Sequence, residues 1–120
     1  MIRRLFSLTV LLLLTVIDAA AEVQEIGTPF IRNFTKSDYR ASTQNWAVAQ
    51  DARGFMYFAN NDGLLVYDGV QWHLFQMPNH SMVRSILMGV KGEIFIGAYN
   101  DLGKMVPDAS GNLSFHSFRD

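Results

Sequence analysis

From residue 45 onward the apolar positions fall into short runs, each closed by Gly, Asn or Asp. The stretch "WAVAQDARGFMYFANNDGLLVYDGVQWHLFQ" shows four such runs, rich in aromatic and β-branched types. That pattern predicts strands at 46–50, 55–59, 64–68 and 71–76, joined by turns at 51–54, 60–63 and 68–69. Asn and Asp tolerate the left-handed backbone and Gly adopts it without steric cost, as tight hairpin turns require. The expected unit is an antiparallel four-stranded meander. Residues 22–120 contain no convincing amphipathic helix, so the expected fold class is all-β.

The pattern then recurs. "VRSILM" at 83–88 follows the form of "WAVAQ", Gly92 stands where Gly54 stood, and "EIFIG" at 93–97 matches "FMYFA", with Tyr57 and Phe95 separated by 38 positions. Gly63 is aligned with Gly103 and Asp68 with Asp108 at a spacing of 40, and "WHLF" at 72–75 with "FHSF" at 115–118 at 43. Insertions of one or two residues in the turns are expected to explain the drift. Repeats of about 40 residues with four strands each are the pattern of β-propeller blades. The expectation is a partial propeller, with blades at 45–76 and 82–119. "PFIRNF" resembles the fourth-strand segments, so 29–35, within an N-terminal segment 22–44, is expected to be a ring-closing strand. Two blades cannot close a ring, and the chain reads as part of a longer propeller. Residues 22–120 alone are expected not to make a stable monomer, because both end blades would expose apolar faces.

The first 21 residues form a different object. Arg3 and Arg4 precede an apolar run over residues 5–17, and "DAAA" offers small residues for cleavage after Ala21. This predicts a secretory signal peptide, because about 20 apolar residues are needed to span a bilayer. The expected fate is export. There is no cysteine, so neither disulfides nor a lipidated cysteine are available. Ten basic residues against eleven acidic ones give a formal net charge of −1, which leaves no electrostatic footprint for nucleic acid.

The segment "QDARGFMYFANNDGLLVYDGVQW" resembles the two-component regulator propeller repeat. The residues that carry the likeness are Asp51, Gly54, Met56 to Ala59, Gly63-Leu64 and Tyr67-Asp68-Gly69. The second unit departs from it, with Pro107 in place of the tyrosine. The resemblance implies the extracytoplasmic, ligand-sensing part of a bacterial transmembrane regulator, on the periplasmic side of the inner membrane. In that family the propeller is followed by a triple-tyrosine domain, a membrane helix, and a histidine kinase or helix-turn-helix output domain. "IGTPFIRNF" with "QNW" is most like the helix-turn-helix branch. None of those output domains is in the sequence, so kinase or DNA-binding activity would belong to a longer parent.

Candidate chemistry within the chain is sparse. His73 and His116 occupy equivalent repeat positions and are expected to point into solvent; His80 lies in the loop 77–82 without a second ligand at metal-site spacing. The Asn60-Asn61-Asp62-Gly63 turn fails as a calcium loop, because Phe58 would stand first and Gly69 twelfth. Three Asn-X-Ser/Thr sequons, at Asn33, Asn79 and Asn112, are read as coincidence for a bacterial chain. No catalytic residue, metal site or cofactor is expected, and the segment is not read as an enzyme. Meander geometry gathers the 2–3 loops and the 4–5 connection at one end of the units. That places Asn60, Asn61, Asp62, Tyr99, Asn100, Asp101 and His80 together as candidate binders of a small polar ligand, of which an oligosaccharide is the leading example. The aromatics Trp46, Tyr57, Phe58, Trp72 and Phe95 are expected to pack between units. Two other classes stay open: a secreted propeller enzyme acting on polysaccharide, which would need paired carboxylates, and a non-enzymatic scaffold or adhesin.

Overall fold

In a computed structural model, Gly27 and residues 29–119 are described, and the expected signal peptide lies outside them. The elements are a single-turn helix α1 (Lys36–Tyr39) and eight strands. β1 (Asn45–Gln50), β2 (Met56–Asn60), β3 (Gly63–Tyr67) and β4 (Trp72–Phe75) form the first sheet. β5 (Val83–Met88), β6 (Ile94–Ala98), β7 (Asp101–Pro107) and β8 (Leu113–Ser117) form the second. Both sheets are antiparallel meanders in sequence order, and the described residues are all-β apart from the one turn of helix. Strand ends differ from the expected ones by a residue or two. Asn60 and Gly63, for example, belong to strands because they face each other in the ladder.

The register reveals a strict repeat. Gln50 pairs with Met56 as Met88 pairs with Ile94, and both first strands break register at the same place, between Asn45 and Ala47 and between Val83 and Ser85. Gly63 faces Asn60 as Asp101 faces Ala98, so Gly63 corresponds to Asp101 and not to Gly103. The spacing therefore holds at 38 from β1 through β3. All five extra residues enter at one place, the hairpin of β7 and β8, which extends past Met105 through Val106 and Pro107 and returns through Leu113 and Ser114. Beyond it the spacing is 43: Trp72 faces Tyr67 as Phe115 faces Met105. Asp68 and Asp108 still share a job. Each carboxylate accepts backbone N–H groups in its own hairpin turn, from Val70 and Gln71 and from Ser110 and Asn112.

Period-2 alternation gives each sheet two faces, and the repeat names them. The trailing face of the first sheet carries Tyr57, Ala59, Leu64 and Val66; the leading face of the second carries Ile86, Ile94, Ile96 and Met105. These two faces form one core, with Met77 and Val83 from the connection and β5. Each fully buried aliphatic or aromatic side chain there contributes about 1.5–3 kcal/mol. Because unlike faces meet, the sheets stack in the same sense and are not mirrored.

The leading face of the first sheet has another cover. Trp72 sits 4.7 Å from Tyr67 and 5.5 Å from Phe58 between ring centroids, and Phe34 and Tyr39 close over it at 5.1 and 5.6 Å. Residues 29–35, expected to close a ring with strands beyond residue 120, lie in no strand. Thr35 instead opens α1, with its backbone N–H donating to the Asp38 carboxylate at 2.6 Å, and Arg40 ends the helix in the left-handed region. Of the five aromatics expected between the units, Tyr57 is buried in the shared core. Phe58 and Trp72 lie on the leading face of the first sheet, while Phe95 lies on the trailing face of the second beside Phe118.

Candidate functional site

The β2–β3 and β6–β7 turns and the 76–82 connection emerge at one end of the sheets, because the strands alternate in direction. Asn60 is fully buried there. Its amide nitrogen donates to the Ser42 carbonyl at 2.7 Å and Asn45 Oδ1 at 2.8 Å, and its oxygen accepts from the Asp62 N–H at 3.0 Å. Asp62 in turn accepts from the Ser42 N–H at 2.7 Å. Asn61 Oδ1 accepts from Trp46 Nε1 at 2.8 Å, and the Arg84 guanidinium lies 4.7 Å above the Trp46 ring. The Asn60-Asn61-Asp62 tip thus fastens the lead-in segment 42–45 to the first hairpin.

The equivalent tip of the second sheet is more open. Asp101 accepts from the Ser117 hydroxyl at 2.7 Å, and the Asn100 carbonyl accepts from the Arg119 guanidinium. Asn100 and His80 are both left-handed, with φ of 58° and 54°. His80 donates its backbone N–H to the Met77 carbonyl at 2.8 Å, which holds the connection in a turn. The His80 side chain is exposed, and Tyr99 is 62% exposed although its backbone N–H is tied to the Met82 carbonyl at 2.9 Å. Of the seven candidate residues, Asn60, Asn61, Asp62 and Asp101 make side-chain hydrogen bonds that hold the fold. Tyr99, Asn100 and His80 present the surface that a ligand at this end would meet.

The opposite end holds a feature that turn composition does not announce. Where the two sheets diverge, a cleft of about 610 Å³ opens between them. Its floor is apolar, with Phe55, Val66, Phe75, Ile94 and Met105, and its rim carries Arg53, Asp68, His73, Lys91, Glu93 and Asn112. His73 stands opposite Val66 and so faces the cleft, with its Nε2 3.1 Å from Asp68 Oδ2. It is exposed, as expected, and in addition partnered. His116 is exposed on the trailing face of the second sheet, within 3.3 Å of the Ser114 hydroxyl.

One wall of the cleft is organised by Asp51. Its Oδ2 accepts from Arg53 Nε at 2.9 Å, Arg53 Nη2 at 2.7 Å and the Tyr57 hydroxyl at 3.0 Å. Its Oδ1 accepts from the backbone N–H groups of Arg53 and Phe55 at 2.9 and 3.0 Å. Burial pushes this carboxyl up, but the hydrogen bonds from Arg53, Phe55 and Tyr57 outweigh it and hold it below its ordinary range. Burial raises the Tyr57 hydroxyl, and its bond to the Asp51 carboxylate raises it further. Asp51 reaches Phe55 and Tyr57 because the 51–54 turn folds the chain back, its Gly54 N–H donating to the Asp51 carbonyl at 3.0 Å, and the Asp-x-x-Gly turn was the usable signal.

Among the described residues, no group of three or more His, Cys, Asp or Glu is arranged to hold a metal ion, and no helix is long and apolar enough to cross a membrane. No family model matches the chain, and neither a curated protein nor a solved structure matches it.

Proposed function

We propose that this chain is the N-terminal part of a β-propeller that binds a ligand outside the cytoplasm and serves as the input module of a bacterial transmembrane regulator. The observation that carries the reading is the 38-residue equivalence of the two sheets together with their same-sense stacking. Repetition of that operation builds a propeller. The likeness of residues 50–72 to the two-component regulator propeller repeat supports the regulatory role, and the apolar run over residues 5–17 supports export.

On this reading the ligand is small and polar, with an oligosaccharide as the leading class. It binds at the loop end, where Tyr99 offers an aromatic face, and His80 and Asn100 lie beside it. The segment itself performs no catalysis; the conformational signal would pass to the rest of the parent protein. Reading the DNA downstream of the Asp120 codon tests this directly. The expected result is an open frame that runs through more repeats of about 40 residues to a membrane helix and an output domain. A stop codon at that position would remove the sensor reading.

A further inference from the structure

Two of the places where the meanders depart from their shared register meet at the cleft between the sheets. The five extra residues of the β7–β8 hairpin are one, since Val106, Pro107, Ser110, Gly111, Asn112 and Leu113 form a lip of that cleft. The other is the Asp51 network, which sets Arg53 and Tyr57 in the wall of the first sheet where the second sheet has Gly89 at the equivalent turn position. Insertions into a repeat fall in loops, and they gather on the face that binds. Every lining residue lies between Arg53 and Leu113, so both walls are complete and a further unit would not fill the opening. Its volume, about 610 Å³, suits a small molecule.

We propose that this cleft binds a small amphiphile with an aromatic or aliphatic body and one carboxylate. The body follows from the floor, where Phe55, Val66, Phe75, Ile94 and Met105 offer rings and branched chains and no polar side-chain group. The sign of the head group follows from what the rim leaves unused. Arg53 and Lys91 balance Asp68 and Glu93 in formal charge, but not in hydrogen-bonding capacity. The Asp51 carboxylate is filled by Arg53, Phe55 and Tyr57. Asp68 Oδ1 accepts from the Val70 and Gln71 N–H groups, and its Oδ2 is held by His73. Glu93 gives one oxygen to the Lys91 N–H at 3.1 Å. The donors keep more in reserve. Lys91 is exposed and has no ion pair among the described residues. Arg53 spends Nε and Nη2 on Asp51, and its guanidinium lies 4.3 Å over the Phe55 ring, which leaves Nη1 beside the floor. His73 engages Asp68 through Nε2 alone. A carboxylate above Phe55 therefore meets donors with spare capacity. An ammonium would find only one uncommitted oxygen among these carboxylates, on Glu93. The inference stands apart from the ligand assigned to the Tyr99 end and does not depend on the sensor reading.

Three probes that share one body and differ in the head group test it: phenylbutyrate, phenylbutanol and phenylbutylamine. Each is titrated into the isotope-labelled protein in chloride buffer, and backbone amide shifts are followed by NMR. Phenylbutyrate is expected to bind saturably with a Kd on the order of 1 mM or below, with shifts centred on Phe55, Val66, Ile94, Met105 and Asn112. The alcohol is expected to bind about fivefold more weakly, and the amine more weakly still. Lys91→Gln should weaken phenylbutyrate about threefold and leave phenylbutanol unchanged, while Lys91→Arg should retain the preference for the acid. The exposed, unpaired Lys91 side chain makes both variants neutral for folding. Absence of saturable shifts, equal binding of acid and alcohol, tightest binding of the amine, an acid preference indifferent to Lys91→Gln, or shifts centred on Tyr99 and His80 would each overturn the proposal. A stop codon after Asp120, by contrast, removes the sensor reading and leaves this test as it stands.

Discussion

Asp51→Ala isolates what one carboxylate does for the first sheet. The second sheet offers a partial reference: Gly89 occupies the equivalent place, and the Glu93 carboxylate accepts the Lys91 N–H, the counterpart of the Arg53 N–H, at 3.1 Å. The backbone bonds of the two turns are nonetheless the same: Gly92 N–H to the Gly89 carbonyl at 3.0 Å matches Gly54 N–H to the Asp51 carbonyl at 3.0 Å. The Gly54 bond uses the Asp51 carbonyl and not its carboxylate, so the loss falls on the side-chain network and on the Arg53 and Phe55 N–H groups. Arg53 is 66% exposed and is re-solvated, so its ion pair contributes at most about 1 kcal/mol. The Phe55 N–H and the Tyr57 hydroxyl are less accessible to water, and each loses a bond to a charged acceptor worth about 1.5–3 kcal/mol. Partial replacement by water brings the sum to about 3 kcal/mol; Arg53 Nη2, itself a donor to the Tyr57 oxygen at 3.1 Å, cannot stand in for the lost acceptor. With a urea slope of about 1.5 kcal/mol/M for a chain of this size, the midpoint falls by about 2 M. Tryptophan fluorescence in sulfate buffer, which strengthens apolar burial, measures it. Arg53→Ala serves as the control and is expected to cost about 1 kcal/mol. A shift below about 0.5 M for Asp51→Ala would refute the accounting, because the network would then be no better than solvent.

The same group sets an acid limit. The folded pKa of Asp51 lies below the ordinary 3.8, so its stabilisation is present above that value and is lost as pH falls through the folded pKa. Asp51→Ala should flatten the acid limb of an unfolding-against-pH profile. Tyr57 carries the opposite sign: its folded pKa is raised above 10.0, so its contribution is lost as pH rises through that higher value, and Tyr57→Phe should flatten the alkaline limb. Gly63→Ala should destabilise far more than Gly69→Ala in urea titrations. Gly63 has φ of 139° and a Cβ there would meet the Phe75 carbonyl oxygen at 2.4 Å, whereas Gly69, at φ of 98°, has open space and costs only about 1 kcal/mol of backbone strain. Asn60→Ala is expected to cost about 2–3 kcal/mol, since it removes a buried amide that serves the Ser42 carbonyl, Asn45 Oδ1 and the Asp62 N–H; Tyr99→Ser should leave stability within about 0.5 kcal/mol while weakening glycan retention on affinity columns.

The local rules were legible in the order of residues. Alternation, the Asn-, Asp- and Gly-rich turns and the recurrence of "WHLF" as "FHSF" determined eight short antiparallel strands in two meanders, because period-2 patterning and left-handed turns are settled between near neighbours. Sequence spacing also aligned Tyr57 with Phe95 and His73 with His116. It misplaced Gly103, because a glycine in one strand resembles a glycine in another until hydrogen bonds assign the partner, and Asp101 faces Ala98 there. Tertiary structure decided which face each aromatic serves, since alternation says that Tyr57 and Phe58 point apart but not which of them meets the second sheet. It decided that Phe34 and Tyr39 close the leading face over Trp72, a contact between residues more than thirty positions apart that no local pattern encodes. It also decided that Asn60 is a buried fastening while Tyr99 is open. Both stand at the rims of equivalent hairpins, and only the packing of residues 42–45 over the first tip separates them.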